Sequence, residues 1–222
     1  TGVQTCALPI YDPRVGHIGG TDHNRGTPRG DGSYYFSRYT SIWGWATWRR
    51  AWQGYDANLA DWPAVKDAGR HLALFGSDAE ARHFEGVWDD IHAGVLDTWD
   101  AQWLYCNRLR GTLAIAPNWN LITNLGFHDA ATHTRDTTHP FAALPLGDMA
   151  FPLRHPRHMA PDDAADLVRA QAEFLSRRSA MYRLGRRLCN RHFYGKLLRA
   201  FPVLGPMWAR LRRPANAVRE SP

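Results

Sequence analysis

SYYFSRYTSIWGWATWRRAW, residues 33–52, holds four of the chain's ten tryptophans (Trp43, Trp45, Trp48, Trp52) and three of its eight tyrosines. Ser33 to Arg38 reads as a short aromatic strand. Trp43-Gly44-Trp45 reads as a tight loop, in which Gly44 lets two indoles splay apart. Thr47 to Trp52 reads as the opening of a helix. Flat indoles around a glycine suit sugar rings, whose C–H faces stack on them. The competing reading is that the same tryptophans are core. Against it, a helix or strand cannot bury all of them on one face.

Upstream, Arg14 to Ile18 reads as a strand ended by Gly19-Gly20, and Thr21 to Gly32 as a polar loop containing Asp22, His23 and Asp31. That loop has neither the GxGxxG nor the GxxxxGK[ST] phosphate-binding pattern. The first ten residues, TGVQTCALPI, look like a translated sequencing adapter and are set aside. The native start is then expected further upstream, and Cys106 and Cys189 remain as the natural cysteines. Two isolated cysteines make no disulfide framework, which suits a reducing compartment. No run of eighteen apolar residues is present, so the sequence contains no transmembrane signal.

Downstream, Asp61-Trp62-Pro63 is expected to open a short helix with Asp61 as its cap. Ala81, Phe84, Val87, Trp88 and Ile91 recur at three and four, which predicts an amphipathic helix over 78–92. Asp97 or Thr98 is expected to cap a helix over 99–110, stopped at Gly111, with Asp100 in its first turn. Residues 112–116 and 120–124 read as short strands broken at Pro117, and 126–134 as a loop with His128, Asp129 and His133. Five prolines in 139–161 exclude helix and central strand there. A helix over 162–178 and a basic helical pair over 181–213 complete the reading.

Charge divides the chain. Residues 1–173 hold 15 Lys/Arg against 20 Asp/Glu, whereas 174–219 hold 12 Lys/Arg and no acid. A mildly acidic body thus carries a basic appendage. The aromatics lie in the acidic body rather than among the arginines, which argues against nucleic acid, since stacking platforms need both together.

Three constellations can carry chemistry: the Trp-Gly-Trp loop, Asp97/Asp100 and the His128/His133 loop. Singly each is weak. A carboxylate in a first helical turn is favoured by the helix dipole anyway. Histidines five apart on a loop have no zinc-site spacing. Asp97 and Asp100, at i and i+3, are too close for a glycosidase acid/base pair.

Their order is more telling. RVGHIGGT (14–21), GDGSYYFSRYTSIWGWATWRRAW (30–52), DTWDAQW (97–103), PNWNLITNLGFHDAATHT (117–134) and FPLRHP (151–156) together resemble the C-terminal half of a GT-A glycosyltransferase. More narrowly, the chain is similar to the bacterial nucleotide-diphospho-sugar transferases of the family 2-like, hemolytic-protein-like group, from about Asp12 to Asp162. The long tryptophan motif is the specific one.

The resemblance implies a truncated, Rossmann-like α/β domain over 11–161 with an open edge where an upstream half docks. A helical basic tail over 162–213 and a disordered end over 214–222 would follow. It implies transfer of a sugar from a nucleotide-diphosphate donor to a glycan or lipid-linked acceptor, in bacterial surface polysaccharide synthesis. Asp100 matches the general base. Trp43, Gly44, Trp45 and Trp48 match the acceptor loop, and Trp99 and Trp103 its other wall. His133, with His128 as runner-up, matches the histidine that helps hold a divalent cation, Mn or Mg, on the diphosphate. The Asp-x-Asp metal motif is not in this sequence, so the chain alone is expected to be inactive.

The basic tail suggests peripheral attachment at the inner face of the membrane of a cytoplasmic protein. Met181, Leu184, Leu188, Phe193, Leu197, Leu198 and Phe201 approximate an apolar stripe within 174–213, flanked by arginines that suit anionic headgroups. Two other readings are a non-catalytic carbohydrate-binding module and a metal-dependent hydrolase built on His128, Asp129 and His133.

Overall fold

The computed structural model describes residues 11–127, 141–142 and 144–175. It is an α/β fold in which a three-stranded sheet carries helices: β1 (Val15–Ile18), β2 (Tyr34–Ser37), α1 (Arg49–Trp52), α2 (Trp62–Asp67), a 3-10 turn (Arg70–Leu74), α3 (Asp78–His92), α4 (Asp100–Arg110), β3 (Leu113–Pro117) and α5 (Asp163–Glu173). The sheet order is β1-β3-β2. β3 runs parallel to β1 and antiparallel to β2.

The strands are short and covered on both faces, with all four residues of β2 buried. Val15, Tyr34, Phe36 and Ile115 form one apolar cluster. The register of β1 slips between Val15 and His17. There Gly16 lies so close to α4 that a Cβ would stand 2.3 Å from Asn107 Oδ1.

Most of the core is helical. Leu59, Trp62, Val65, Phe84, Trp88, Leu104 and Tyr105 pack between α2, α3 and α4. The predicted apolar face of α3 is the buried one, and Ser77 caps the start of the helix. Ser77 Oγ accepts from the Glu80 N–H at 3.3 Å and donates to Glu80 Oε2 at 2.8 Å. α4 stops at Gly111, left-handed at φ 64°.

Several expectations are corrected. Residues 120–124 form no strand. Asn120 Nδ2 donates to the Ile122 carbonyl at 2.8 Å, and the Leu121 N–H donates to Gly20. Local side-chain bonding thus replaces a ladder. Asp61 precedes α2 but caps nothing with its side chain, which instead accepts the Tyr105 hydroxyl at 2.8 Å. Neither Asp97 nor Thr98 caps α4, whose N-cap position is Trp99.

The edges of the sheet are not open either. On β1, Ile18 and Ala46 exchange backbone hydrogen bonds at 2.9 Å. Thr47 Oγ1 and Arg50 Nη1 cover the carbonyls of Gly16 and Val15. On β2, Phe36 bridges Pro161 and accepts from the Asp162 N–H. Such covering satisfies strand edges that would otherwise recruit another chain.

The helix expected over 162–178 ends at Glu173. Asp162 caps it, accepting from the Ala165 N–H at 2.9 Å. It is docked on the body: Asp166 accepts from Ser37 Oγ and the Arg38 N–H, and Arg169 donates to the Thr40 carbonyl at 3.1 Å.

Gly44 sits at φ +57°, and a Cβ there would stand 2.3 Å from Ile122 Cγ1 and Cδ1. Gly44→Ala is expected to destabilise by about 2–4 kcal/mol, from left-handed strain plus overpacking. Urea unfolding measures it; a loss under about 0.5 kcal/mol, the range of an ordinary surface change, refutes this account of the loop.

Candidate functional site

A cleft of about 670 Å³ opens where the tryptophan loop meets the start of α4, lined by Trp43 on one side and by Asp97, Trp99 and Asp100 on the other. Gly44 makes this possible. Across its positive φ, Trp43 lines the cleft, edge-on to Phe127 at 5.4 Å, while Trp45 packs toward Trp103 at 6.1 Å. Trp45 stacks on Trp99 at 5.3 Å and 28° and on His17 at 5.4 Å and 14°. The loop and the Asp100 turn, far apart in sequence, are therefore joined through indole stacking.

Asp100 is half-buried at the head of α4. Its Oδ1 accepts from Thr98 Oγ1 and, at 2.9 Å, from the Ala101 N–H. The carboxylate is held by its own turn.

Two proposed acceptor residues lie elsewhere. Trp103 is fully buried, and its Nε1–H donates to His17 Nδ1 at 3.0 Å. It faces the core because α4 turns its 103/106 face onto Ala51. Trp48 packs on the sheet cluster, under the Arg50 guanidinium at 4.6 Å. Trp52, 39% exposed, stacks on Tyr55 at 4.5 Å and 8° and lies 6.0 Å from Trp45. Trp99, Trp45, Trp52 and Tyr55 make one aromatic row beside the cleft. Helical periodicity from Trp52 did not reveal it, because Tyr55 lies past the end of α1.

His17 ties the loop to the core. It is wholly buried and neutral, since its Nδ1 must keep a lone pair for Trp103, leaving Nε2–H to donate to the Ser41 carbonyl at 2.9 Å. Burial pushes its pKa down to about 4, against 6.5 for an ordinary histidine. In the unfolded chain it protonates near 6.5, so its contribution is complete above that pH and is lost as pH falls toward 4. The expected loss is about 3 kcal/mol across that window. Denaturation midpoints at pH 7 and pH 4 measure it, and a His17→Gln variant with the same pH dependence as wild type refutes the assignment.

The inner wall of the cleft holds residues that sequence spacing did not bring together. His23, Ser41, Arg169 and Glu173 all line it. His23 Nε2 lies 3.0 Å from Ser41 Oγ, and Nδ1 lies 3.0 Å from Glu173 Oε1. Arg169 Nε donates to Glu173 Oε2 at 3.0 Å. Burial pushes the His23 pKa down. Burial alone would raise Glu173, but Arg169 and His23 outweigh it and hold the carboxyl at about 2. In the sequence His23 is one member of a polar loop, and nothing in its spacing predicts that α5 folds back onto it.

His128, Asp129 and His133 lie outside the described residues, as do 176–222. Among the described residues no group of three or more His, Cys, Asp or Glu could hold a metal ion. No described helix is long and apolar enough to cross a membrane. Of the 174–213 stretch only its first two residues are described, and Phe174 packs on Phe84 and Tyr39 at 5.0 and 5.3 Å. No known protein family, curated protein or solved structure matches this chain.

Proposed function

We propose that the chain is the acceptor-side half of a GT-A nucleotide-diphospho-sugar glycosyltransferase. The observation that carries this reading is the convergence of Trp43, Trp99 and Asp100 on one cleft. An acceptor sugar lies with its C–H face against an indole and one hydroxyl toward Asp100. The carboxylate takes the hydroxyl proton as the oxygen bonds to the anomeric carbon of the donor. The anomeric C–O bond breaks, and its electron pair leaves with the nucleoside diphosphate. A divalent cation supplies charge neutralisation on that diphosphate in the enzymes the sequence resembles. Its ligands, His133 included, and the donor-binding strands belong outside the described residues.

A longer reading frame including the upstream half, incubated with a radiolabelled nucleotide sugar and candidate glycan or lipid-linked acceptors, tests the reading. Acceptor-dependent label transfer supports it; release of label by water alone, with every acceptor, rejects it.

The Trp99–Trp45–Trp52–Tyr55 row, exposed at Trp99 and Trp52, favours a second reading, a carbohydrate-binding module without catalysis. That reading predicts glycan binding that quenches tryptophan fluorescence and no turnover in the longer protein.

The protein is further proposed to work at the cytoplasmic face of a membrane through the basic stretch 174–213, where each basic residue near an anionic surface contributes about 1 kcal/mol. Co-sedimentation of the full chain with anionic but not neutral vesicles, weakening with salt, is the expected result. Equal binding to both vesicle types, or none at low salt, refutes it.

A further inference from the structure

The inner wall of the cleft presents an arrangement that glycosyl transfer does not use. Ser41 Oγ lies 3.0 Å from His23 Nε2, and Glu173 Oε1 lies 3.0 Å from His23 Nδ1. The three residues come from three different segments: the loop after β1, the loop after β2, and the last turn of α5. We propose that Ser41, His23 and Glu173 form a nucleophile–base–orienter triad that opens acyl esters bound in the cleft. Such triads are recognised by geometry and roles rather than by chain order.

The surroundings support the roles. His23 is wedged between Phe141, edge-on at 4.9 Å, and Trp43 at 6.4 Å, which limits rotation of the imidazole. Its burial lowers its pKa, so it stands neutral and able to accept a proton at neutral pH. Arg169 and Asp22 are the other charged groups acting on it. Glu173 remains ionised and can stabilise the imidazolium once it forms. Its approach to Nδ1 has ion-pair distance without hydrogen-bond alignment. Catalytic hydrogen bonds are commonly loose before substrate binds and tighten in the complex. Arg169 holds the other carboxylate oxygen and so fixes the orientation of Glu173. Ile42, next in the chain, lines the same cleft, and its backbone N–H donates to no acceptor among the described residues. It is the available donor for an oxyanion.

The step balances. His23 Nε2 takes the Ser41 hydroxyl proton as Oγ bonds to the ester carbonyl carbon, whose π electrons move onto its oxygen. Collapse breaks the C–O bond to the alcohol, and the departing oxygen takes the proton from Nε2. Water, activated by the same imidazole, then releases the acid and restores Ser41. The substrate class is an acyl ester with an apolar or sugar-borne alcohol, given the Trp43 and Trp99 walls.

The test uses the full chain, a fluorophosphonate probe and p-nitrophenyl acetate, with cooperative unfolding by tryptophan fluorescence certifying the fold. Covalent labelling of the Ser41 peptide in the wild type, absent in Ser41→Ala, is expected. Ester hydrolysis is expected to fall about 100-fold or more in His23→Gln, the loss of one general base. Glu173→Gln is expected to slow labelling without moving its site. A folded wild type that takes no label, a Ser41→Ala variant still labelled in the cleft, or labelling by Glu173→Gln at the wild-type rate overturns the triad. The probe needs no nucleotide sugar, so the result is independent of any outcome for Asp100.

Discussion

Asp100→Asn, placed in a protein that includes the upstream donor half, is expected to lower kcat for sugar transfer by about 10²–10⁴-fold, the usual contribution of a positioned general base. The substitution is nearly isosteric and keeps an oxygen where Oδ1 now accepts from Thr98 Oγ1 and the Ala101 N–H. The α4 turn therefore survives, and only the capacity to take a proton is removed. Because the acceptor ring is held by Trp43 and Trp99 rather than by the carboxylate, KM for the acceptor is expected to change little. A selective fall in kcat is the signature of an interaction made only in the transition state. Initial rates at saturating donor measure both parameters. A variant with undiminished kcat removes Asp100 from the chemistry and leaves the aromatic row as a binding surface. A variant whose KM rises while kcat holds gives Asp100 a purely seating role.

The largest stability effect is expected at Trp103. The side chain is fully buried among Ala51, Cys106, Trp45 and Tyr55, and it donates the hydrogen bond that fixes the His17 tautomer. Trp103→Ala is expected to cost about 3–5 kcal/mol, the range for deleting a buried large aromatic. That is a large part of the total stability of an ordinary domain. Trp103→Phe separates the two contributions. It refills most of the volume but leaves His17 Nδ1 without its donor, at a cost of about 1–3 kcal/mol. Guanidinium unfolding at pH 7 distinguishes them. If Trp103→Phe is as stable as wild type, the His17 hydrogen bond contributes nothing. If Trp103→Ala costs under about 1 kcal/mol, the indole is not a core element.

These two residues, three positions apart on one helix, show how a single motif divides between roles. DTWDAQW was legible as a helix start with an acid and two indoles. Which indole stays exposed and which faces the core was not legible. Trp99 precedes the first turn and stays 40% exposed, whereas Trp103 lies one turn in, on the face packed against Ala51. The same limit applies to 120–124. Its residues read as a strand, but Asn120 found a carbonyl two residues on, and Ile122 was needed beneath Gly44.

The sequence by itself determined the local geometry. The apolar rhythm of 78–92, the stop at Gly111 and the turn at Gly44 all rest on interactions within a few residues, which the chain carries wherever it is placed. It also brought the Trp-Gly-Trp loop and Asp100 together as candidates for one site. Only the tertiary structure decided that Trp103 belongs to the core, that Trp48 lies half-buried against the sheet cluster, and that the exposed Trp52 and half-buried Tyr55 join the aromatic row. The edges of the sheet were likewise closed by residues 46–50 and 161–162. It alone set Ser41, His23 and Glu173 within 3.0 Å steps of one another. The reason is that burial and side-chain partnership depend on which surfaces pack. α5 reaches the cleft wall through Asp166 on β2 and Arg169 on Thr40, contacts more than a hundred residues apart in sequence that no local period encodes.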